Sequence, residues 1–135
     1  EYEILGIGVV ARPTEDGLLL QLSADGMTVL HAGALKGVPK DELLDQLPSI
    51  DVLILPVGGH QTLSAKQAGT MCTKLIEPRV CIPIAFKQKK SDPKQASVEE
   101  FLKEVGHRNG NPESKVILSA SKLPQEEMDV VVLGH

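Results

Sequence analysis

Residues 51–68 constrain the fold most, because they join a continuous apolar run to a glycine turn and an amphipathic pattern. The run at residues 52–55 has no polar alternation, which is typical of a strand covered on both faces. Pro56 ends the run, since proline offers no N–H to a sheet. Gly58 and Gly59 follow and favour a turn. The segment therefore predicts a buried strand and a glycine loop.

A helix is expected directly after this loop. Ser64 is a good N-cap residue, and the apolar positions beyond it recur at spacings of three and four. These positions are Ala65, Ala68, Met71, Cys72, Leu75 and Ile76. A second apolar run at residues 79–84 supplies the next strand. The sequence thus predicts one right-handed βαβ crossover with two parallel strands.

Shorter elements surround this unit. An Asp25-Gly26 pair predicts a hairpin, Pro13 and Asp16-Gly17 predict a turn over residues 12–17, and Ser97 with Glu100 predicts a capping box. Helices are expected at residues 40–47 and 97–105, and further strands at residues 2–11, 18–22, 27–31, 115–118 and 128–133. An antiparallel meander followed by alternating strands and helices indicates one mixed α/β (α+β) domain over residues 1–135.

Composition argues against several classes of protein. The chain has 135 residues and a net charge of −4, so no basic field favours nucleic acid, and its three aromatic residues provide no stacking platform. The Lys-rich segment 87–94 is expected to be a solvated loop rather than an RNA contact. No apolar run reaches the length of a membrane span. Cys72 and Cys81 are expected as buried free thiols, which fits a reducing cytoplasm.

Several segments, taken in order, resemble the small metallo-β-lactamase-fold proteins, and among them the L-ascorbate-6-phosphate-lactonase-like hydrolases. They are EYE at 1–3, DGMTVLHAG at 25–33, DVLILPVGG at 51–59, RVCIPIAF at 79–86 and the apolar tail at 130–133. The resemblance implies a mixed-sheet β-sandwich flanked by helices, in αββα order. It also implies a site at the strand ends, where one or two zinc or manganese ions activate water.

The chain differs from this family at the positions of the metal-binding residues. The family's His-x-His-x-Asp-His loop is absent, its Gly-Asp-Leu reads Gly33-Ala34-Leu35, and its Pro-x-His-Tyr reads Pro83-Ile84-Ala85-Phe86. Ala34 and Ala85 therefore mark lost ligands, because a methyl group cannot coordinate a cation. The resemblance then predicts a protein without metal, cofactor or catalysis, with a structural, binding or assembly role.

Two alternatives stay open. One is a hydrolase of a lactone or phosphate ester that uses zinc or manganese and takes its missing ligands from another segment or chain. The other is a phosphate- or nucleotide-binding module, in which Gly58, Gly59 and His60 bind an anion at the start of the following helix. The loop lacks the P-loop Lys-Ser/Thr pair and the GxGxxG spacing, so a simple turn is favoured. His31 and His60 have no evident set of partner ligands.

Self-association is the last expectation. In the resembled family an N-terminal portion precedes the position of Glu1, and this portion is expected to be missing here. An incomplete sandwich exposes part of an apolar sheet face and a sheet edge. That face is expected to be covered by the missing segment or by a second copy, with a two-fold dimer as the default geometry.

Overall fold

A single mixed sheet organises the computed structural model, which describes residues 2–4, 6–33, 35–59, 62–85, 97–106, 118–124 and 128–133. Its strands lie side by side in chain order. They are β1 (Tyr2–Ile4), β2 (Ile7–Thr14), β3 (Gly17–Ala24), β4 (Met27–His31), β5 (Val52–Pro56), β6 (Val80–Ile84) and β7 (Asp129–Val130). The helices are α1 (Asp41–Leu44), α2 (Ala65–Thr70) with a π-helical continuation (Met71–Ile76), and α3 (Val98–Val105), and a 3₁₀ turn covers Ala120–Lys122.

The pairing of the strands confirms the expected mixed sheet. Strands β1 to β4 form an antiparallel meander, and β4 to β7 run parallel to one another. The hairpin between β3 and β4 turns at Asp25 and Gly26, whose φ angles of 51° and 76° suit a two-residue primed turn. The predicted hairpin is therefore confirmed, and so is the parallel pairing of β5 with β6.

The expected first strand and the turn after it are wrong in their bounds. The segment 2–11 is divided between β1 and β2, with Gly6 at φ 82° where the chain reverses. The segment 12–17 is not a broad turn, because β2 continues through Pro13, which lies opposite Leu18. The Thr14 hydroxyl donates to the Gly17 carbonyl at 2.7 Å. With this bond, the turn between β2 and β3 is limited to two residues, and β2 continues through Pro13.

The helix after the glycine loop begins as expected but does not remain α-helical. Ser64 and Gln67 form a capping box, in which each side chain accepts from the other residue's N–H. From Met71 the turns widen, and the N–H of Glu77 donates to the Cys72 carbonyl at 3.1 Å, a five-residue step. The Thr73 hydroxyl donates to the Gly69 carbonyl at 2.8 Å. Such back-bonding competes with the α-helical N–H, which gives a physical reason for the change.

Helix α3 has the expected bounds, with Gly106 at φ 77° after its last turn. The predicted capping box is wrong, because the Ser97 side chain makes no cap hydrogen bond. The first predicted helix ends early, at Leu44. The last strand is also shorter than expected and is limited to Asp129–Val130. Of the strand expected at residues 115–118, only Leu118 lies among the described residues, and it is not in a strand.

The helices cover one face of the sheet. Alternate residues of the central strands point to them, and Leu30, Leu53 and Leu55 are fully buried there with Phe101 of α3. The other face carries a smaller cluster around Val52, Val80 and Ile82. The described strands thus form one layer of the expected sandwich, with helices on one side.

Candidate functional site

The expected site lies at the carboxyl ends of β4, β5 and β6. In parallel sheets this edge is where ligands usually bind. Two backbone hydrogen bonds bring the three ends together: the Ala32 N–H donates to the Ile54 carbonyl at 2.7 Å, and the Val57 N–H donates to the Ile84 carbonyl at 3.0 Å. The residues that follow each strand therefore share one corner of the sheet.

Among the described residues, His31 carries the imidazole at this corner, and its side chain folds back onto its own chain. Its Nδ1 accepts the Gly33 N–H at 3.1 Å. A Cβ at Gly33 would collide with the His31 ring and would lie 3.3 Å from Ile84 Cδ1, so this close approach requires glycine. Since Nδ1 is engaged by the backbone, Nε2 is the ring nitrogen left for any other partner.

Ala85 follows β6 in an uncommon backbone conformation. Its φ of 55° lies in the left-handed region, where a residue with a Cβ is strained by about 1–2 kcal/mol. Histidine, asparagine and aspartate are enriched there among residues other than glycine. The chain therefore holds a strained conformation at the position where the resemblance places a lost ligand. Ala34, the other such position, lies outside the described residues.

The glycine loop after β5 is held by hydrogen bonds within the chain. Gly59 has φ 77°, and its N–H donates to the Leu63 carbonyl at 3.0 Å. The Leu63 N–H donates to the Leu35 carbonyl at 3.0 Å, and the capping box occupies the N–H groups of Ser64 and Gln67. The loop turns at Gly58 and Gly59 as predicted. Its anion-binding role stays a prediction, and His60 lies outside the described residues.

The described residues at this corner do not fit a metal ion. Across the part of the chain that the structure describes, no three His, Cys, Asp or Glu side chains come together as a ligand set. Around the strand ends, His31 is accompanied by Gly33, Val57 and Ala85, none of which carries a donor side chain. Zinc and manganese need several such donors.

Asp51 is a polar residue whose contacts the sequence analysis did not foresee, and it lies at the opposite end of the parallel strands. Its Oδ2 accepts the Thr28 N–H at 2.8 Å, and its carbonyl accepts the N–H groups of Arg79 and Val80, both at 2.9 Å. It thereby ties together the starts of β4, β5 and β6. The sequence feature that could have indicated these contacts is a carboxylate directly before an apolar strand. The role of Asp51 is structural.

A separate cleft of about 480 Å³ lies between the β2–β3 turn and α1. Its lining includes Glu15 and Asp16 from the turn and Lys40 and Glu42 from the start of α1. Lys40 Nζ lies 3.1 Å from Glu15 Oε1, and both side chains are largely exposed. None of the predicted site residues lines this cleft.

The match to a family model agrees with the fold. Residues 8–85 match the model of the β-lactamase superfamily domain. The chain belongs to this family.

Curated relatives of this chain carry the name metal-dependent hydrolase. A UPF0173 metal-dependent hydrolase from Pyrococcus abyssi is 34% identical over 115 residues, which cover 84% of this chain and 45% of that protein. One from Pyrococcus furiosus is 38% identical over 62% of this chain and 36% of its own length. The chain thus spans less than half of these curated relatives.

A solved structure supports the same fold. It is a Thermotoga maritima protein described as a Zn-dependent hydrolase of the metallo-β-lactamase superfamily, with a TM-score of 0.84 and 26% identity. The match covers 98% of this chain and 67% of that one. The metallo-β-lactamase-like α/β fold expected from the sequence is therefore confirmed. Among the described residues, no helix is long and apolar enough to cross a membrane.

Proposed function

We propose that this chain is a metallo-β-lactamase-fold domain that has lost its metal centre and works by binding or assembly instead of hydrolysis. The proposal concerns the ligands that this chain itself supplies. It is supported by the poor fit of the strand-end corner to a metal ion, since the described residues beside His31 have aliphatic side chains or are glycine.

The conformation of Ala85 is the observation that carries the proposal. A left-handed alanine is costly, and strained backbone of this kind is found most often at functional sites. In the resembled family this position belongs to a histidine, a residue that tolerates the conformation better. The backbone here therefore has a conformation that histidine would tolerate better than alanine, while the side chain present is a methyl group that cannot bind a cation.

Metal binding gives the direct test of this proposal. The purified chain is titrated with zinc and with manganese while its thermal unfolding is followed, and hydrolysis of phosphate-ester and lactone substrates is assayed in parallel. Neither metal should raise the unfolding temperature, and no metal-dependent turnover should appear. Stabilisation that saturates at one equivalent, together with turnover, would contradict the proposal.

One face of the sheet, which none of the described helices covers, supports an assembly role. We define the open face as the side of β2, β3 and β4 that lies away from the helices, and strand pairing places Val9, Leu22 and Val29 next to one another on it. These side chains are half-buried, while Ile7 and Leu18 on the same face are 42% and 45% exposed. A contiguous apolar surface of this kind usually marks an interface.

A second copy of the chain is the occupant we propose for the open face. Two such sheets related by a two-fold axis would pack face to face, as sheets do in sandwiches. Size-exclusion chromatography with light scattering should give twice the mass of the chain. Leu18→Glu should shift the mass to the monomer, whereas Leu75→Glu, at a 38% exposed leucine on the π-helical turn, should not. A wild-type monomer at micromolar concentration would reject the dimer.

The competing proposal is a metal-dependent hydrolase completed by residues from outside this chain. It is favoured by the names of the relatives and by the partial coverage of their length. The two proposals differ in whether the protein purified from its natural source holds stoichiometric metal. A phosphate-binding role at Gly58, Gly59 and His60 is the third candidate, and among the described residues the N–H groups of Gly59, Leu63 and Ser64 are engaged within the chain. Failure of every phosphate compound to stabilise the fold would leave this role unsupported.

A further inference from the structure

The only two cysteines of the chain face each other in the core. Cys72 lies on the π-helical turn and Cys81 on β6, and both are free and buried. Their Sγ atoms are 3.0 Å apart. A disulfide bond is about 2.05 Å long, so the sulfurs need to approach by only about 1 Å.

The elements that carry the two cysteines explain why they meet. β6 lies between β5 and β7, and Cys81 is paired with Leu53 on one side and Val130 on the other. The π-helical turn packs across this strand, and its widened end is closed by the Glu77 N–H bond to the Cys72 carbonyl. The chain between the cysteines is short, and a bond between them would join the helix layer directly to the centre of the sheet.

We propose that Cys72 and Cys81 are a redox pair, which a small peroxide converts into an intramolecular disulfide. One thiol is oxidised to a sulfenic acid, as the peroxide O–O bond breaks and water leaves. The sulfur of the second thiol then attacks the first, the S–S bond forms, and a second water leaves with the remaining thiol proton. Overall, two thiols and one hydrogen peroxide give one disulfide and two waters. A dithiol reductant reverses the bond by exchange.

Burial determines which reagents reach this pair. The side chain of Cys81 is fully buried, and burial raises the pKa of its thiol, with a further contribution from the neighbouring Cys72. Little thiolate is therefore present at neutral pH, and access requires a local opening of the π-helical turn. Hydrogen peroxide is small enough to enter through such an opening, whereas bulky aromatic disulfides are excluded. This redox pair does not depend on the proposed loss of the metal centre.

Mass spectrometry tests the proposal on the folded chain. Reduced protein is treated with millimolar hydrogen peroxide, denatured, alkylated and weighed. The expected product has lost two hydrogen atoms, takes up no alkylating reagent, and recovers both thiols after dithiothreitol. Trypsin cuts after Lys74 and Arg79, so the two cysteines fall on separate peptides that only the disulfide joins.

Thermal unfolding and two variants complete the test. The oxidised protein should unfold at a temperature about 5–10 °C higher than the reduced protein, because the crosslink restricts the unfolded chain. Cys72→Ser and Cys81→Ser should abolish both the mass change and this shift. If the wild-type protein keeps two alkylatable thiols after peroxide, or gains oxygen atoms, or crosslinks between chains, the proposal is wrong. This result does not depend on the folding of either variant.

Discussion

The carboxylate of Asp51 accepts the backbone N–H of Thr28 at 2.8 Å, and this bond ties the start of β5 to the neighbouring strand β4. The side chain of Asp51 is 21% exposed, so the bond is partly shielded from water. Asp51→Ala should lower the free energy of unfolding by about 1–2 kcal/mol, since the Thr28 N–H loses a charged acceptor. Chemical denaturation measures this change. Asp129→Ala, at an exposed position of β7, is the control and should change stability by less than about 0.5 kcal/mol.

The ion pair of Asp51 with Arg79 should contribute much less than the Thr28 bond. The Arg79 Nε lies 3.8 Å from Oδ1, and the arginine side chain is 45% exposed. Exposed pairs with such geometry are weak. Arg79→Gln should therefore cost less than about 0.5 kcal/mol in the same denaturation experiment. A loss as large as that of Asp51→Ala would show that the charge pair, and not the N–H bond, is the main role of Asp51.

Gly69 is required where α2 crosses α3. A Cβ at this position would lie 2.7 Å from the Cβ of Glu104, an atom that cannot move aside without its backbone. Gly69→Ala should therefore destabilise the fold by about 1–3 kcal/mol, although alanine favours helices. Gly8→Ala is the matched control, because its new Cβ would lie 3.7 Å from the Cβ of Ser23, an ordinary contact. Equal unfolding midpoints for the two variants would contradict the close helix crossing.

The left-handed conformation of Ala85 predicts a substitution that stabilises the chain. Glycine adopts this conformation without strain, so Ala85→Gly should raise the free energy of unfolding by about 1 kcal/mol. At Ala11, on β2, the same substitution should lower it by about 0.5–1 kcal/mol. Thermal or chemical unfolding should therefore show changes in the free energy of unfolding that have opposite signs for the two variants. Two losses of similar size would mean that Ala85 is not strained.

The buried thiol of Cys81 predicts a loss of stability at alkaline pH. Its pKa is raised in the folded protein, mainly by burial, above the ordinary value of 9.0. The folded state therefore holds the proton more tightly than the unfolded state. This contribution is fully present below pH 9 and is lost as the pH rises from there through the folded-state pKa. Reduced wild-type protein should lose stability more steeply above pH 9 than Cys81→Ala, and parallel curves would refute this assignment.

Local signals in the sequence were sufficient to predict much of the fold. The Asp25-Gly26 pair predicted the hairpin because its positive φ angles require such residues. The continuous apolar run of β5 predicted a parallel central strand. The turn around Pro13 was placed incorrectly, because a side-chain bond of Thr14 allows the strand to continue. The π-helical turn was not foreseen, since the spacing of its apolar residues suits an α-helix equally well.

The candidate site was predictable only in part. Its position at the strand ends and the change to alanine at Ala85 follow from aligned motifs. The bond of Gly33 to His31 depends on a ring orientation that sequence spacing does not specify. The close approach of the Cys72 and Cys81 side chains depends on how the π-helical turn lies across β6. Such contacts arise from tertiary packing, which the spacing of residues in the sequence does not specify.

The central claim is that this chain supplies no metal centre, and elemental analysis tests it most directly. The chain is purified without chelators, and its zinc and manganese contents are measured against protein concentration. The account predicts far less than one metal ion per chain. One or more tightly held ions per chain, retained through dialysis and released with loss of stability, would contradict it.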